Sequence, residues 1–150
     1  MPSRRPGVAD RVYLPDVNVL FAAHVTAHVD HATALGWLRG VLAFATCATT
    51  EQGLVRLLSN PAANPGASTA DALAALRRVR ARRQHEFWRD DTSLADPVVD
   101  LARMVGHRRV TDFHLLNLAA DRRGVLVTLD AKIERALAPS DRRHVLTLAG

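Results

Sequence analysis

Four acidic residues in this sequence each stand beside an apolar run, at a point where a strand or helix is expected to begin or end: Asp16, Glu51, Asp112 and Asp130. Side chains at one edge of a folded sheet can meet in space although they are far apart in the chain. Carboxylates that meet repel one another unless a cation neutralises them, and their oxygens suit Mg²⁺ or Mn²⁺ better than zinc. We therefore expect these four carboxylates to form a site for one of these ions.

Such a site could hydrolyse a phosphodiester without a side-chain nucleophile. A bound Mg²⁺ or Mn²⁺ lowers the pKa of a water ligand, orients it and stabilises charge on the leaving oxygen. Three polar residues are candidates to support the ligands or to orient the attacking water, namely Asn18, Thr128 and Arg56. Each acid taken singly also fits a helix-start or turn residue. Their recurrence at four element boundaries is what favours the metal site.

The elements that must position these acids are predicted from the spacing of apolar residues. Strands are expected at residues 12–14, 43–50, 86–88, 125–129 and 144–148, and helices at 17–25, 31–42, 51–60, 71–83, 97–104, 112–124 and 131–138. This alternation predicts an α/β domain with a mainly parallel sheet. Such sheets bind ligands at the carboxyl edge of their strands, which is where Asp16 and Asp130 would lie.

Polar residues at two of the predicted helix starts are candidate N-caps. Thr49 or Thr50 is expected to cap the helix that carries Glu51, and Thr111 is expected to cap the helix that carries Asp112. Both acids would then lie in the first turn of a helix, where the helix dipole favours a carboxylate.

The composition is that of a single compact domain. At 150 residues the chain is long enough to bury a core, and no apolar run approaches the roughly 20 residues of a membrane span. The basic segment 1–10 lacks the apolar centre of a signal peptide, so we expect a flexible leader, one domain at 11–150 and cytoplasmic residence. The single cysteine, Cys47, excludes an internal disulfide, and its apolar surroundings predict a buried thiol.

The formal net charge of +5 arises from 20 basic and 15 acidic side chains, and the basic ones are arginine except for Lys132. Arginine matches phosphate geometry, which favours a nucleic-acid partner, although a GC-rich genome would also enrich arginine. The arginines at the end of helix 71–83 can be explained in two ways. Either they serve only to interact favourably with the helix dipole, or they contact RNA. They are Arg77, Arg78, Arg80, Arg82 and Arg83.

Histidine and aromatic residues offer further candidates outside the acidic set. Three histidines have a spacing that could hold a transition metal, but their place in a loop favours solvated side chains: His24, His28 and His31. His114 could act as a general base beside Asp112, a role that a metal-activated water makes unnecessary. Three aromatic residues are expected to anchor the core or a dimer interface rather than to stack on bases: Trp37, Phe87 and Trp88.

Four segments of the chain resemble, in order and spacing, the motif blocks of PIN-domain ribonucleases and in particular of the VapC toxins of toxin–antitoxin pairs: YLPDVNVLFA, TTEQGLVRLLSNP, TDFHLLNLAA and VTLDAKI. The resemblance spans roughly residues 11–148. It implies a three-layer α/β/α sandwich, Mg²⁺- or Mn²⁺-dependent endonuclease activity on RNA, a homodimer, and neutralisation by a cognate, VapB-like antitoxin. By matching position it assigns the acidic metal site to Asp16, Glu51, Asp112 and Asp130, with Asn18 and Thr128 beside it. The chain departs from the family pattern at Pro15 and in its longer leader.

The sequence thus favours a toxin that cleaves RNA with a metal-activated water and leaves a 3′-hydroxyl and a 5′-phosphate. A different class of function is a catalytically silent PIN-like module that binds RNA or assembles complexes. A second enzymatic alternative is a housekeeping PIN nuclease that acts in RNA maturation or on DNA flaps. Because all four carboxylates are present, and because an acidic pocket repels phosphate in a protein that only binds, the sequence favours the enzyme.

Overall fold

The computed structural model describes residues 10–149, so the predicted leader at residues 1–10 lies outside the described residues except for Asp10. The strands in this range are β1 (Tyr13–Pro15), β2 (Phe44–Cys47), β3 (His85–Trp88), β4 (Val125–Thr128) and β5 (Val145–Thr147). The helices are α1 (Val17–His24), α2 (His31–Gly40), α3 (Ala48–Leu58), α4 (Thr69–Arg80), α5 (Val110–Asp121) and α6 (Ala131–Ala136). Short 3₁₀ turns lie at His107–Arg109 and Arg142–His144. None of the helices in residues 10–149 has the length and apolar character needed to cross a bilayer.

The strands form one sheet in the order β3-β2-β1-β4-β5, and every pair of neighbours is parallel. Tyr13 of β1 lies in register with Phe44 on one side and with Val125 on the other, which places β1 in the middle of the sheet. Because the carboxyl ends of parallel strands meet at one edge, the residues that follow β1, β3 and β4 are brought to the same side of the molecule. The predicted parallel sheet is confirmed.

Helices cover both faces of this sheet. On one face, α1 to α4 pack over Phe44 and Val127, and their buried residues include Leu20, Leu38 and Leu54. On the other face, α5 and α6 pack over the side chains of the opposite pleat, such as Leu14 and Leu126. Each fully buried leucine or phenylalanine contributes about 1.5–3 kcal/mol through its removal from water. The result is the expected three-layer α/β/α sandwich.

One predicted helix is wrong. Residues 97–104, all within the described part of the chain, form a series of turns instead of a helix. Two of their backbone amides are taken by side chains from distant segments, because Val98 N donates to Asn117 Oδ1 at 2.8 Å and Asp100 N donates to Asp141 Oδ2 at 2.9 Å. These tertiary hydrogen bonds hold the segment in an irregular path with Val99 buried beneath it.

The predicted caps of the two acid-bearing helices are also wrong. Helix α3 begins earlier than expected, with Cys47 at its N-cap, and the Thr50 hydroxyl accepts a hydrogen bond from Cys47 N at 3.0 Å. Helix α5 begins at Val110 with Arg109 at its N-cap, so Thr111 lies inside the first turn. Glu51 and Asp112 nevertheless both lie in first helical turns, as predicted.

A close approach between α1 and α3 generates a prediction about stability. A Cβ added at Gly53 in α3 would lie 2.5 Å from Val17 Cγ2 and 3.0 Å from Val17 Cγ1, whereas a Cβ added at Gly36 in α2 would meet nothing within 4 Å. Helix propensity favours alanine over glycine by about 1 kcal/mol in both helices. We therefore expect Gly36→Ala to raise the free energy of unfolding by about 0.5–1 kcal/mol. We expect Gly53→Ala to lower it by about 1–3 kcal/mol because of overpacking against Val17.

Urea unfolding of the two variants beside the wild type measures this difference. A Gly53→Ala variant as stable as Gly36→Ala would show that α1 and α3 are not held at this distance.

Candidate active site

Asp16 occupies the position directly after the central strand β1 and is held there by the backbone. Its N–H donates to Val127 O at 2.9 Å, and its side-chain Oδ1 accepts a hydrogen bond from Val19 N at 2.9 Å, which caps α1. Only 3% of the residue is exposed. The sheet and the helix cap together fix the carboxylate at the carboxyl edge of the sheet.

Asp112 lies in the same cleft as Asp16. The cleft has a volume of about 210 Å³ and lies between the starts of α1 and α5 and one side of α3, and its walls include Asn18, Gly53, Arg56 and Thr111. Among the described residues, no hydrogen-bond donor lies on the Asp112 carboxylate. Both carboxylates line the cleft, but only that of Asp16 accepts a hydrogen bond from a helix start.

The electrostatics of the pair are unfavourable without a cation. Burial raises the pKa of Asp16 to about 6, and the neighbouring charge of Asp112 also raises it, against the lowering effect of hydrogen bonds from Val19, Thr128 and Asn18. Burial likewise raises the pKa of Asp112, and the charge of Asp130 adds to this effect, whereas the Arg109 guanidinium partly opposes it. Two carboxylates whose ionised forms are disfavoured in one cleft are a setting that a divalent cation would relieve.

Asp130 stands at the rim of this arrangement. It follows β4 directly, and its Oδ1 accepts a hydrogen bond from Lys132 N at 2.9 Å, which caps α6. Its Oδ2 lies 3.9 Å from Arg109 Nη1, and 46% of its side chain is exposed. The buried Thr128 hydroxyl accepts a hydrogen bond from Asp130 N at 3.0 Å, so Thr128 lies between Asp130 and Asp16 as a shared support.

The structure does not bring Glu51 into this cleft, so the four carboxylates do not all converge there, and Glu51 as a metal ligand stays a prediction. Glu51 Oε1 accepts a hydrogen bond from Thr46 Oγ1 at 2.6 Å and lies 3.3 Å from Arg80 Nη1. Its side chain lines a different cleft on the other side of α3. Within residues 10–149, no group of three or more His, Cys, Asp or Glu side chains is arranged to hold a metal ion. The acidic site is thus the pair Asp16 and Asp112, with Asp130 at its rim.

The three supporting residues named from the sequence have different positions. Asn18 is exposed in the first turn of α1 and lines the acidic cleft. Arg56 is exposed on α3 and lines both this cleft and the one that contains Glu51. Thr128 is fully buried and acts on the acids by hydrogen bonding.

A family model also matches most of this chain. The model of the PIN domain family matches residues 13–137, a range that contains Asp16, Glu51, Asp112 and Asp130. The chain belongs to the PIN domain family. Curated relatives place it more narrowly, among the VapC ribonucleases.

Three of these relatives come from Mycobacterium tuberculosis strain H37Rv. Ribonuclease VapC44 is 39% identical over 139 residues, which cover 90% of this chain and 98% of the relative. Ribonuclease VapC38 is 47% identical over 124 residues, covering 80% of this chain and 86% of the relative. Ribonuclease VapC29 is 43% identical over 119 residues, covering 79% and 85%.

A solved structure also shares the PIN fold. VapBC2 from Rickettsia felis, crystallised with a DNA fragment from its promoter, superposes with a TM-score of 0.59 at 13% sequence identity. The match covers 92% of this chain and 99% of the solved chain. At this identity the similarity concerns the fold.

One functional candidate of this PIN domain was missed from the sequence. Asp90 lies two residues after β3, and its carboxylate contacts two side chains. It accepts a hydrogen bond from Thr49 Oγ1 at 2.5 Å, and it lies 2.5 Å from His114 Nε2. Partial burial favours its neutral form, but the hydrogen bonds from Thr49 and His114 outweigh this, so the pKa of Asp90 lies below its usual range. Its position just beyond a predicted strand is the signal that could have found it. Asp90 links the start of α3 to the start of α5, which carries Asp112.

The raised pKa of Asp16 predicts a specific pH dependence of stability in protein freed of metal with EDTA. Since the folded protein binds this proton more tightly than the unfolded chain, the cost of ionising Asp16 is fully present above about pH 6. It is lost as the pH falls toward the ordinary value of 3.8. Asp16→Asn keeps a residue that can cap α1 but removes the charge. We expect it to raise the free energy of unfolding by about 1–3 kcal/mol at pH 7.5, with the gain falling to roughly a third of this at about pH 4.5 and vanishing only below the ordinary pKa of 3.8.

Urea unfolding over this pH range measures the effect. The matched control is Asp130→Asn, which also preserves a helix cap but alters a half-exposed carboxylate, and it should stay within about 0.5 kcal/mol of the wild type. A difference between Asp16→Asn and the wild type that does not change with pH would refute the electrostatic explanation.

Proposed function

We propose that this chain is the endoribonuclease toxin of a toxin–antitoxin pair and that it hydrolyses RNA phosphodiester bonds at the cleft of Asp16 and Asp112 with Mg²⁺ or Mn²⁺. The observation that supports this most directly is the pair of carboxylates that share a cleft and whose ionised forms are disfavoured by burial and by neighbouring carboxylates, in a chain of the VapC family. A protein that only bound RNA would gain nothing from two such charges beside a phosphate.

The donor set of the cleft fits a hard divalent cation. Asp16 and Asp112 would hold the ion through carboxylate oxygens, and Asp130 would contribute from the rim. Thr128 supports this set from beneath, through its contacts with Asp16 and Asp130. When bound, the ion would lower the pKa of a water molecule and neutralise charge on the phosphodiester.

The remaining residues of the cleft act on the RNA backbone. Arg56 is exposed at the wall of the cleft, and Arg109, whose side chain is 27% exposed, lies beside the rim at 3.9 Å from Asp130 Oδ2. Both guanidinium groups are suited to hold phosphate oxygens against the repulsion of the acids. Asn18 could orient the attacking water by hydrogen bonding. Since no 2′-hydroxyl attack is required, the products carry a 3′-hydroxyl and a 5′-phosphate.

The partners follow from the family. We propose a cognate, VapB-like antitoxin that neutralises the toxin, by analogy with VapBC2, the solved complex that shares this fold. A homodimer in the cytoplasm is the expected working form, as the resemblance to VapC toxins implies. Binding of RNA through several arginines would weaken as the salt concentration rises.

The test of the proposed function is end-mapped cleavage of total cellular RNA by purified protein free of antitoxin, with Mg²⁺ or Mn²⁺. We expect cuts at defined sites that carry a 5′-phosphate and that vanish with Asp112→Asn or with EDTA. Cuts that persist in Asp112→Asn would place the activity elsewhere, and 2′,3′-cyclic phosphate ends would contradict hydrolysis by water. Absence of cuts by the wild type would favour the silent RNA-binding module.

Metal binding provides an independent prediction. Because Asp112 faces the cleft and Asp130 lies at the rim, Asp112→Asn should abolish the rise in melting temperature that Mn²⁺ causes in the wild type. Asp130→Asn should weaken Mn²⁺ binding only by about tenfold, as supporting groups around metal sites do. Thermal unfolding and calorimetric titration with MnCl₂ measure both effects. Equal losses in the two variants would show that Asp130 is as direct a ligand as Asp112.

A further inference from the structure

A second cleft lies on the other side of α3 from the acidic one. It has a volume of about 550 Å³, and its walls include Glu51, Val55, Arg56, Arg80 and Phe87. None of its residues lines the acidic cleft except Arg56, which borders both. The two clefts are therefore neighbours on one surface, separated by α3 and joined at a guanidinium group.

An exposed aromatic ring forms one wall of this second cleft. Phe87 is 42% exposed, although the next residue, Trp88, is buried at 5%. The ring belongs to β3, which is the edge strand of the sheet, and it stands beside Thr46 of β2 on the face that carries α3 and α4. The sequence-based expectation that both aromatic residues anchor a core or an interface is confirmed for Trp88 as a core residue, whereas Phe87 presents its ring to solvent.

A chain of polar contacts holds an arginine over this ring. The Arg80 guanidinium lies 4.8 Å from the Phe87 ring centroid and 3.3 Å from Glu51 Oε1. The Glu51 carboxylate is fixed in turn by the hydroxyl of Thr46, which is fully buried. The Arg80 side chain is nevertheless 47% exposed. It is therefore a planar group supported from below by an aromatic ring, oriented by a carboxylate, and open to solvent.

Such a group is a platform for a nucleobase. Unpaired bases in RNA stack on aromatic rings and on guanidinium planes, and they do so with little dependence on sequence because every base has a π-face. Because Arg56 lines both clefts, a strand whose phosphate lies at the acidic cleft beside Arg56 can continue into the second cleft, where Arg80 forms part of the wall. Positive charge at Arg56 and Arg80 also suits a polyanion better than an apolar protein segment.

We propose that Arg80, Phe87 and Glu51 form a base-binding subsite for single-stranded RNA, in which a base stacks on the Arg80 guanidinium and extends the pair of Arg80 and Phe87 by a third layer. This inference rests on the proposed function for the choice of RNA as ligand. Within this subsite Glu51 orients the Arg80 guanidinium.

The test separates stacking from charge. Affinity is measured by fluorescence anisotropy for a short labelled single-stranded RNA of mixed sequence and for an abasic oligomer of the same length. All proteins carry Asp112→Asn and are kept in EDTA, so the result does not depend on cleavage. Arg80→Lys keeps the charge but loses the plane, and Arg77→Lys is the matched control on an exposed position of the same helix.

We expect Arg80→Lys to bind the intact RNA about five- to a hundredfold more weakly than its parent, which is the usual effect of losing one stacked base, and to bind the abasic oligomer equally well. Arg77→Lys should match the parent on both ligands. Phe87→Ala should behave as Arg80→Lys does, and Phe87→Tyr should restore binding. Equal losses on both oligomers, or no loss on either, would overturn the stacking platform.

Two further measurements exclude the other roles of this surface. Glu51→Gln in otherwise wild-type protein should bind Mn²⁺ within twofold of the wild type, and a larger loss would return Glu51 to the metal site. The mass of Phe87→Ala in solution should equal that of the wild type, since a halved mass would show that the cleft is an interface between two copies of the chain. A wild type without nuclease activity that still shows the stacking pattern would overturn the proposed catalysis but retain the subsite.

Discussion

The ionised carboxylate of Asp16, held almost without solvent at the end of the central strand, is the constraint on which the rest of the site depends. A buried charge next to a second carboxylate is unstable by itself, so the surroundings must either supply a counter-charge or keep a proton on the acid. The fold supplies hydrogen bonds from backbone amides and a hydroxyl group, which lower the free-energy cost of ionising Asp16 without removing it. What remains is an unfavourable charge that a small, highly charged cation would neutralise.

The all-parallel sheet turns this local constraint into a site. Because β1 lies in the middle, Asp16 is flanked by the ends of β2 and β4, and helices from both faces begin at the same edge. The start of α5 supplies Asp112 from one face, and α3 supplies Arg56 from the other. The absence of a side chain at Gly53 lets α3 approach α1 closely, which keeps the wall of the cleft next to Asp16.

Much of this arrangement is predictable from the sequence, for a physical reason. An acid that follows an apolar strand must lie at the carboxyl edge of a parallel sheet, and this locates Asp16 and Asp130. The same reasoning fails for Glu51, because it predicts the edge of the sheet at which a helix begins but not the direction in which a helical side chain points. Glu51 precedes Gly53 by two residues, which is a rotation of roughly 200° around α3, away from the cleft that Gly53 faces.

The wrong helix and the missed acid have a related cause, because long-range contacts determine the structure at both places. The turns at residues 97–104 are held by Asn117 and Asp141, which no local pattern reveals. Asp90 acquires its partners from α3 and α5 only after the sheet has formed.

Two of the three acids at this edge also serve as helix caps. Their presence in a related sequence is therefore not by itself a sign of catalysis. Asp16 starts α1 and Asp130 starts α6, so a descendant of this chain that had abandoned chemistry would still be under selection to keep a capping residue, aspartate or asparagine, at both positions. Asp112 has no such second duty, because its carboxylate accepts no hydrogen bond from the described residues. Among homologues of this chain, position 112 is therefore where the loss of catalysis would first become visible as a change of residue.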